Sequence, residues 1–169
     1  MKKRADKFAV FERAEKLRAA SKYIEAEKLY HEAARLRGGD EAFRLDCLLS
    51  LGDTNRMTGD FIKAIKHYDI AAGLAEKLKD RAGRADALTG LGLSLRAAGE
   101  IKMAIRILKG CAREYKTLGD NAGTAFAGWA MAGAYRIKGN LAEAIVEFKK
   151  AKKMFEVLKD NSGVGYCLT

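Results

Sequence analysis

An internal repeat with a period of forty residues constrains the fold of this chain more than any other feature of its sequence. Its register is set by glycines and alanines that recur at that interval: Gly59, Gly99 and Gly139, and Ala64, Ala104 and Ala144. A period of this length indicates stacked copies of one unit that cannot bury its apolar face alone. We therefore expect a single array over residues 1–169, with repeats at 5–40, 41–80, 81–120 and 121–160 and a truncated fifth repeat at 161–169.

Each repeat has the pattern of two helices separated by a glycine. Leu88, Leu91 and Leu95 have the i, i+3, i+7 spacing of one buried helical face. Gly99 follows where this helix should end, because glycine enters the left-handed conformation of a C-terminal cap without steric cost. A second helix begins directly afterwards and alternates small and large apolar residues, which lets two helices pack closely. The sequence predicts an all-α fold, an α-solenoid of antiparallel helix pairs stabilised by packing between neighbouring repeats.

Side-chain oxygens stand where helices are predicted to begin. Asp80, Asp120 and Asp160 precede first helices, and Asp60 and Asn140 precede second helices. We expect these side chains to accept hydrogen bonds from the free backbone N–H groups of the first turn.

The repeat resembles the tetratricopeptide repeat, in the forty-residue variety similar to kinesin light chain and to adaptors that modulate G-protein signalling. The positions that carry the resemblance are Leu51-Gly52, Gly59, Ala64, Tyr68 and Ala71. A later repeat departs from this pattern, because Met131-Ala132 replaces the Leu-Gly pair. The resemblance implies a right-handed α-solenoid, in which the first helix of each repeat lines a concave surface and the second helix faces outward.

Arginine recurs in the last turn of every first helix and forms the main candidate binding site. On a concave surface these arginines would form a ladder, and each could bind a carboxylate through two parallel hydrogen bonds. Aromatic residues stand at the far end of the same face, and tryptophan and arginine often anchor interfaces. The residues predicted to contact a bound peptide are Arg18, Arg56, Arg96, Arg136, Asp53, Phe126 and Trp129.

Structural explanations compete with this site. A cation in the last helical turn complements the helix dipole and can pair with a neighbouring Asp or Glu. Trp129 can pack against the following repeat instead of contacting a ligand.

No pattern of residues indicates an enzyme, and we expect no catalytic residue, cofactor or metal. Cys47, Cys111 and Cys167 lack the spacing of a metal site and are interpreted as small, mostly buried thiols. His31 and His67 lie among charged residues on second helices, so we expect them to face solvent.

No segment approaches the roughly twenty apolar residues that span a bilayer. Charged residues interrupt the basic first segment before a signal-peptide core could form, so a cytoplasmic location is expected.

Our preferred hypothesis is a non-enzymatic protein–protein interaction scaffold that holds an acidic or amphipathic peptide segment in a concave groove. The alternative is binding of nucleic acid or an acidic surface through basic outer helices, because the net charge is +10. Much of that charge falls on the second helices, in Lys102, Arg106, Lys109, Arg113 and Lys116 and in Lys149, Lys150, Lys152 and Lys153.

The last nine residues align with the start of a repeat and stop before its first helix is complete. We expect the chain to be part of a longer protein, with an incompletely covered last helix pair. The side chains predicted to be partly uncovered are Met154, Phe155, Leu158 and Tyr166. Exposed apolar area tends to find a partner, so we expect homo-oligomerisation through the C-terminal end.

Overall fold

The computed structural model describes residues 6–36 and 40–168, and this part of the chain folds into helices without any strand. The all-α fold predicted from the sequence is confirmed. Residues 1–5 and 169, where the predicted array begins and ends, lie outside the described part. The helices are α1 (Lys7–Ala19), α2 (Tyr23–Arg35), α3 (Glu41–Met57), α4 (Phe61–Lys77), α5 (Arg81–Ala97), α6 (Ile101–Leu118), α7 (Asn121–Lys138), α8 (Leu141–Val157) and α9 (Asn161–Tyr166).

Glycines in the left-handed conformation end first helices, as the sequence predicts. The backbone φ angle is +82° at Gly59, +92° at Gly99 and +86° at Gly139. A side chain would strain the backbone at these angles. The next helix can therefore begin within two residues of each glycine.

Aspartates cap the helices at most of the predicted places. Asp80 and Asp120 each accept a hydrogen bond from the backbone N–H three residues later, at 2.8 Å, and Asp160 does so at 3.0 Å. Asp60 caps α4 in the same way at 3.2 Å. The prediction for Asn140 is wrong, because its amide donates to Glu143 at 3.2 Å and makes no cap.

The chain divides into two compact units, residues 1–90 and 91–169. In the first unit α1 packs on α2, α2 on α3 and α3 on α4. Tyr30 and Tyr68 are the large aromatic side chains at its centre, with 0% and 2% of their surface exposed. The Tyr68 ring lies directly against the backbone of Gly52 and Gly90, where any side chain would overlap it. Close helix packing in this unit therefore depends on those two glycines.

In the second unit α7 packs on both α6 and α8, and α9 packs on α8. Leu108 fills the place of Tyr68 and lies against Gly92. Phe155 is only 3% exposed, since it packs with Ala125 and against Gly163 of α9. The expectation that Phe155 is uncovered is wrong, because six residues of α9 suffice to cover its ring. Leu158 and Tyr166 are exposed and Met154 is half-buried, as the sequence predicts.

Candidate functional site

In the first unit, the predicted arginines are held by carboxylates of their own helices. Arg18 forms an ion pair of 2.6 Å with Glu15, three residues earlier on α1. The buried Tyr30 hydroxyl donates to the same carboxylate, and the Ser50 hydroxyl donates to it at 3.1 Å. Burial raises the pKa of Glu15, but the hydrogen bonds from Arg18 and Tyr30 outweigh it and lower the pKa overall. Glu15 is therefore the acceptor around which this cluster is built.

Arg56 repeats this arrangement on α3. Its guanidinium lies 3.4 Å from the Asp53 carboxylate, and the Tyr68 hydroxyl donates to Asp53 at 2.7 Å. Burial, together with the negative charge of Asp53, raises the pKa of Tyr68 well above its usual value, so Tyr68 stays a donor. Arg56 Nε is buried without a hydrogen-bond partner in the described part of the chain. Arg56 therefore retains donor capacity, while Asp53 is occupied within its own repeat.

Arg96, in the second unit, has a different environment. Its Nη1 donates to the backbone carbonyl of Ala130 on α7, at 3.0 Å. Its guanidinium lies over the Trp129 ring, 5.5 Å from the ring centroid. The positions of Asp53 and Tyr68 hold Leu93 and Leu108 in this repeat. The arginine recurs with the repeat, but its surroundings do not.

Arg136 is exposed, and its guanidinium lies 6.0 Å from the Phe148 ring centroid. The aromatic residues predicted at this end are close together: Trp129 is 5.3 Å from Phe126 and 5.4 Å from Tyr166 between ring centroids. Trp129 Nε1 donates to the Tyr166 carbonyl at 2.9 Å. Trp129 thus packs on α9, in the following repeat, as the competing explanation expects, and it also contacts Arg96.

Two of the four predicted arginines meet in one small pocket, which we call the arginine–aromatic pocket. Its volume is about 130 Å³, which suits a single side chain. It is lined by Arg96, Trp129, Gly133, Arg136, Ile137, Phe148 and Tyr166. Phe126 lies beside it, next to Trp129.

The pocket lining includes residues that sequence reasoning missed. Phe148 is one of them: it is half-buried and lines the pocket. In the first unit, sequence reasoning also missed the roles of Tyr30 and Tyr68. The sequence does contain a feature that indicates these roles. A buried tyrosine hydroxyl needs a hydrogen-bond partner, and an acidic residue stands three residues before Arg18 and before Arg56.

A polar cluster at the centre of the first unit corrects the expectation for the histidines. His67 is half-buried, and its Nδ1 lies 2.8 Å from the amide oxygen of the buried Asn55. Asn55 also donates to Glu27 at 2.9 Å, and the His31 ring lies 5.8 Å from the His67 ring. Burial, followed by the nearby His31, lowers the pKa of His67. The prediction that both histidines face solvent is wrong, since both are half-buried in this cluster.

Exposed cations form a line along α6, which we call the basic stripe: Lys102, Arg106, Lys109, Arg113 and Lys116. Their spacing of three or four residues places them on one helix face. None of them forms an ion pair with another residue that the structure describes. On α8, by contrast, Lys150 pairs with Glu147 at 2.8 Å.

Residues 6–36 and 40–168 contain neither a metal-site arrangement nor a helix that could span a membrane. No group of three His, Cys, Asp or Glu side chains there is arranged to hold a metal ion. No helix in these ranges is both long enough and apolar enough to cross a membrane. Cys47 and Cys111 are buried and Cys167 is half-buried.

Comparison with known proteins matches one segment of the chain to a family. Residues 44–113 match the model of the tetratricopeptide repeat family. This segment carries tetratricopeptide repeats. This confirms the resemblance drawn from Leu51-Gly52, Gly59, Ala64 and Tyr68, which all lie inside the matched segment. No curated protein sequence matches the chain.

Solved structures share the fold of these tetratricopeptide repeats at low sequence identity. Aspartyl phosphate phosphatase F from Bacillus subtilis is 15% identical with a TM-score of 0.87, over 99% of this chain and 45% of that one. A Rap protein complexed with Competence and Sporulation Factor is 16% identical with a TM-score of 0.86, over 95% of this chain and 46% of that one. A putative kinesin light chain from Podosopora anserina, with TPR-like repeats, is 15% identical with a TM-score of 0.74, over 92% of this chain and 78% of that one. At such identity these likenesses show the fold alone.

The present chain spans less than half the length of the first two of these proteins. Tetratricopeptide repeats are protein-interaction modules, which supports the general prediction of an interaction scaffold. The fold is generally non-enzymatic, although one of the similar structures is named a phosphatase.

Proposed function

We propose that this chain is a non-enzymatic scaffold that holds an acidic or amphipathic segment of another protein, with the arginine–aromatic pocket as its principal contact. The observation that carries the proposal is that Arg96 and Arg136 line one pocket together with Trp129, Phe148 and Tyr166. Guanidinium groups bind carboxylates strongly, and aromatic walls lower the local dielectric constant and strengthen that attraction. The pocket suits one Asp or Glu side chain, with apolar neighbours of the segment lying on the aromatic rings.

Support also comes from a similar structure. The Rap protein with this fold was solved with Competence and Sporulation Factor bound, so a fold of this kind can hold another molecule. In the first unit, Arg18 and Arg56 are already paired with Glu15 and Asp53, and a ligand carboxylate would have to compete with those pairs. We therefore assign the larger share of binding to the second unit and a weaker contribution to Arg18, Arg56 and Asp53.

The test uses a fluorescein-labelled peptide of alternating glutamate and leucine, blocked at both ends so that only its side chains carry charge. Fluorescence anisotropy should show binding by the wild-type chain and much weaker binding of the same peptide with glutamine in place of glutamate. A hydrogen bond to a charged group contributes about 1.5–3 kcal/mol. Arg96→Gln combined with Arg136→Gln should therefore weaken binding at least about tenfold.

The matched control is Arg106→Gln combined with Arg113→Gln, which removes the same charge from the exposed face of α6. This control should retain most of the affinity. Equal losses in the two double variants would show that the peptide responds only to net charge. Failure of the wild-type chain to bind the glutamate peptide would refute the proposed function.

A second candidate function, binding of a nucleic acid or another polyanion, is favoured by the basic stripe. Its five exposed cations run over about 21 Å of one helix face, at a rise of about 1.5 Å per residue. Binding to duplex DNA should then depend steeply on salt and should weaken in the Arg106→Gln and Arg113→Gln double variant. DNA binding that is unchanged in that variant would remove this candidate.

A further inference from the structure

Gly133 occupies a position that changes in character from repeat to repeat. It stands three residues before Arg136, as Asp53 stands three residues before Arg56 and Leu93 before Arg96. In the first unit the residue at this position is a carboxylate that pairs with the arginine of its own helix. At Gly133 there is neither a carboxylate nor a Cβ atom. The size of the side chain at position 133 therefore limits the space available to the guanidinium groups of Arg96 and Arg136.

The space above Gly133 is filled by Arg96. A Cβ atom built on Gly133 would lie 2.4 Å from Arg96 Nη1 and 3.4 Å from its Cζ. Nη1 also donates to the Ala130 carbonyl, one turn earlier on α7, at 3.0 Å. Arg96 thus lies across the backbone of α7 with its guanidinium over Trp129. This position is available to Arg96 because residue 133 has no side chain.

The backbone conformation at position 133 does not require a glycine. Gly133 lies within α7 and is not among the described glycines with positive φ, which are Gly59, Gly99, Gly119 and Gly139. A glycine inside a helix destabilises it relative to alanine. A glycine at position 133 instead permits the close approach of Arg96 to the helix.

We propose that Gly133 is the specificity-determining residue of the arginine–aromatic pocket, because it admits the Arg96 guanidinium to the pocket wall beside Arg136. The inference rests on the proposed function, since it concerns the same acidic segment. A side chain at position 133 displaces Arg96 from Trp129 and Ala130. A carboxylate there also places a negative charge three residues from Arg136 on the same helix face. Gly133 is a positioning residue, which acts on the ligand through Arg96.

The experiment compares Gly133→Ala and Gly133→Asp with Gly110→Ala as the matched control. Gly110 lies within α6 of the same unit, and a Cβ atom there would meet nothing within 4 Å. Binding of the glutamate–leucine peptide is measured by anisotropy. The emission of Trp129 is measured in parallel, and it reports on the pocket directly because the chain has a single tryptophan.

We expect both Gly133 variants to weaken peptide binding at least about tenfold and to change the Trp129 emission, since the cation over the ring moves. Gly110→Ala should change neither. In the Arg96→Gln background, Gly133→Ala should cost no further affinity, because residues that act through one contact are not additive. A purely structural role of Gly133 would give additive losses, and that result would overturn the inference.

The outcomes separate this inference from the proposed function. If the wild-type chain does not bind the peptide, the proposed function fails. If Arg96→Gln weakens binding but Gly133→Ala does not, the function stands and the inference fails. Should Gly133→Ala fail to fold, as judged by circular dichroism, the double variant with Arg96→Gln decides. A folded double variant supports a clash with Arg96, and an unfolded one overturns the inference.

Discussion

Replacing Gly52 by alanine should destabilise the first unit, although alanine is the better helix former. A Cβ atom on Gly52 would lie 2.6 Å, 2.7 Å and 2.8 Å from three carbon atoms of the Tyr68 ring. Ordinary contacts between carbon atoms are about 3.5–4.0 Å long, so the ring would have to move by nearly 1 Å. It cannot move freely, because the same ring atoms also lie against Gly90 and the hydroxyl is bonded to Asp53.

The magnitude follows from two opposing effects. Overpacking a well-packed core costs about 1–3 kcal/mol. The higher helix propensity of alanine offsets about 0.5–1 kcal/mol of that. We therefore expect Gly52→Ala to lower the free energy of unfolding by about 1 kcal/mol, and by at most about 2.5 kcal/mol. In the fourth repeat, Ala132 and Phe148 stand at the positions of Gly52 and Tyr68. A Cβ atom is present there, and the facing aromatic ring is only half-buried.

Urea unfolding followed by far-ultraviolet circular dichroism measures the effect. Gly73→Ala is the matched control, because Gly73 lies within α4 of the same unit and a Cβ atom there would meet nothing within 4 Å. It should stabilise the chain by about 0.5–1 kcal/mol. In a Tyr68→Ala background, Gly52→Ala should no longer destabilise. Equal stability of the Gly52→Ala and Gly73→Ala variants would refute the explanation based on the tyrosine ring.

Three further predictions concern pH, thiol chemistry and association. Burial and the nearby His31 hold the pKa of His67 below 6.5, so the folded state binds fewer protons than the unfolded state as the pH falls through 6.5. The free energy of unfolding should therefore decrease on acidification, and urea titrations of His67→Gln should show a shallower pH dependence than the wild type. Burial raises the pKa of Cys47 to about 11, so iodoacetamide should label the half-buried Cys167 first, as mass spectrometry can show. Val157 is 76% exposed at the end of α8, and exposed apolar area favours association. A light-scattering concentration series should show self-association of the wild-type chain, and Val157→Glu should weaken it. A wild-type chain that remains monomeric would contradict this prediction.

The sequence was sufficient for the helices and their boundaries, because these depend on local and periodic signals. A glycine at each predicted turn needs only its backbone freedom, and Asp80 or Asp120 needs only the N–H groups of the next turn. Asn140 shows the limit of such rules. Its amide can either accept from the backbone or donate to a carboxylate, and Glu143 provides the carboxylate. The sequence does not decide between two local partners of similar energy.

The candidate site could be predicted in part. The recurrence of arginine was evident, but its environment depends on residues from other helices. Tyr30 and Tyr68 reach across from second helices to the acids beside Arg18 and Arg56, and this requires knowledge of tertiary packing. The burial of His67 has a similar cause, because Asn55 takes a core position that holds Leu95 in the next repeat. A buried amide must find hydrogen-bond partners, and it finds them in Glu27 and His67.

These observations separate the positions that build the repeat from the positions that give it chemistry. The turn glycines, the alanines and the capping aspartates recur every forty residues, and they are sufficient to form and stack helix pairs. The residue three places before the arginine and the large residue on the second helix vary without disturbing that framework. An acid and a tyrosine at these places, Asp53 and Tyr68, give Arg56 an ion pair within its own repeat. A glycine and a phenylalanine, Gly133 and Phe148, instead line a pocket with two guanidinium groups. Two substitutions per repeat therefore accompany a change in the surroundings of the arginine, while the helix pair is retained.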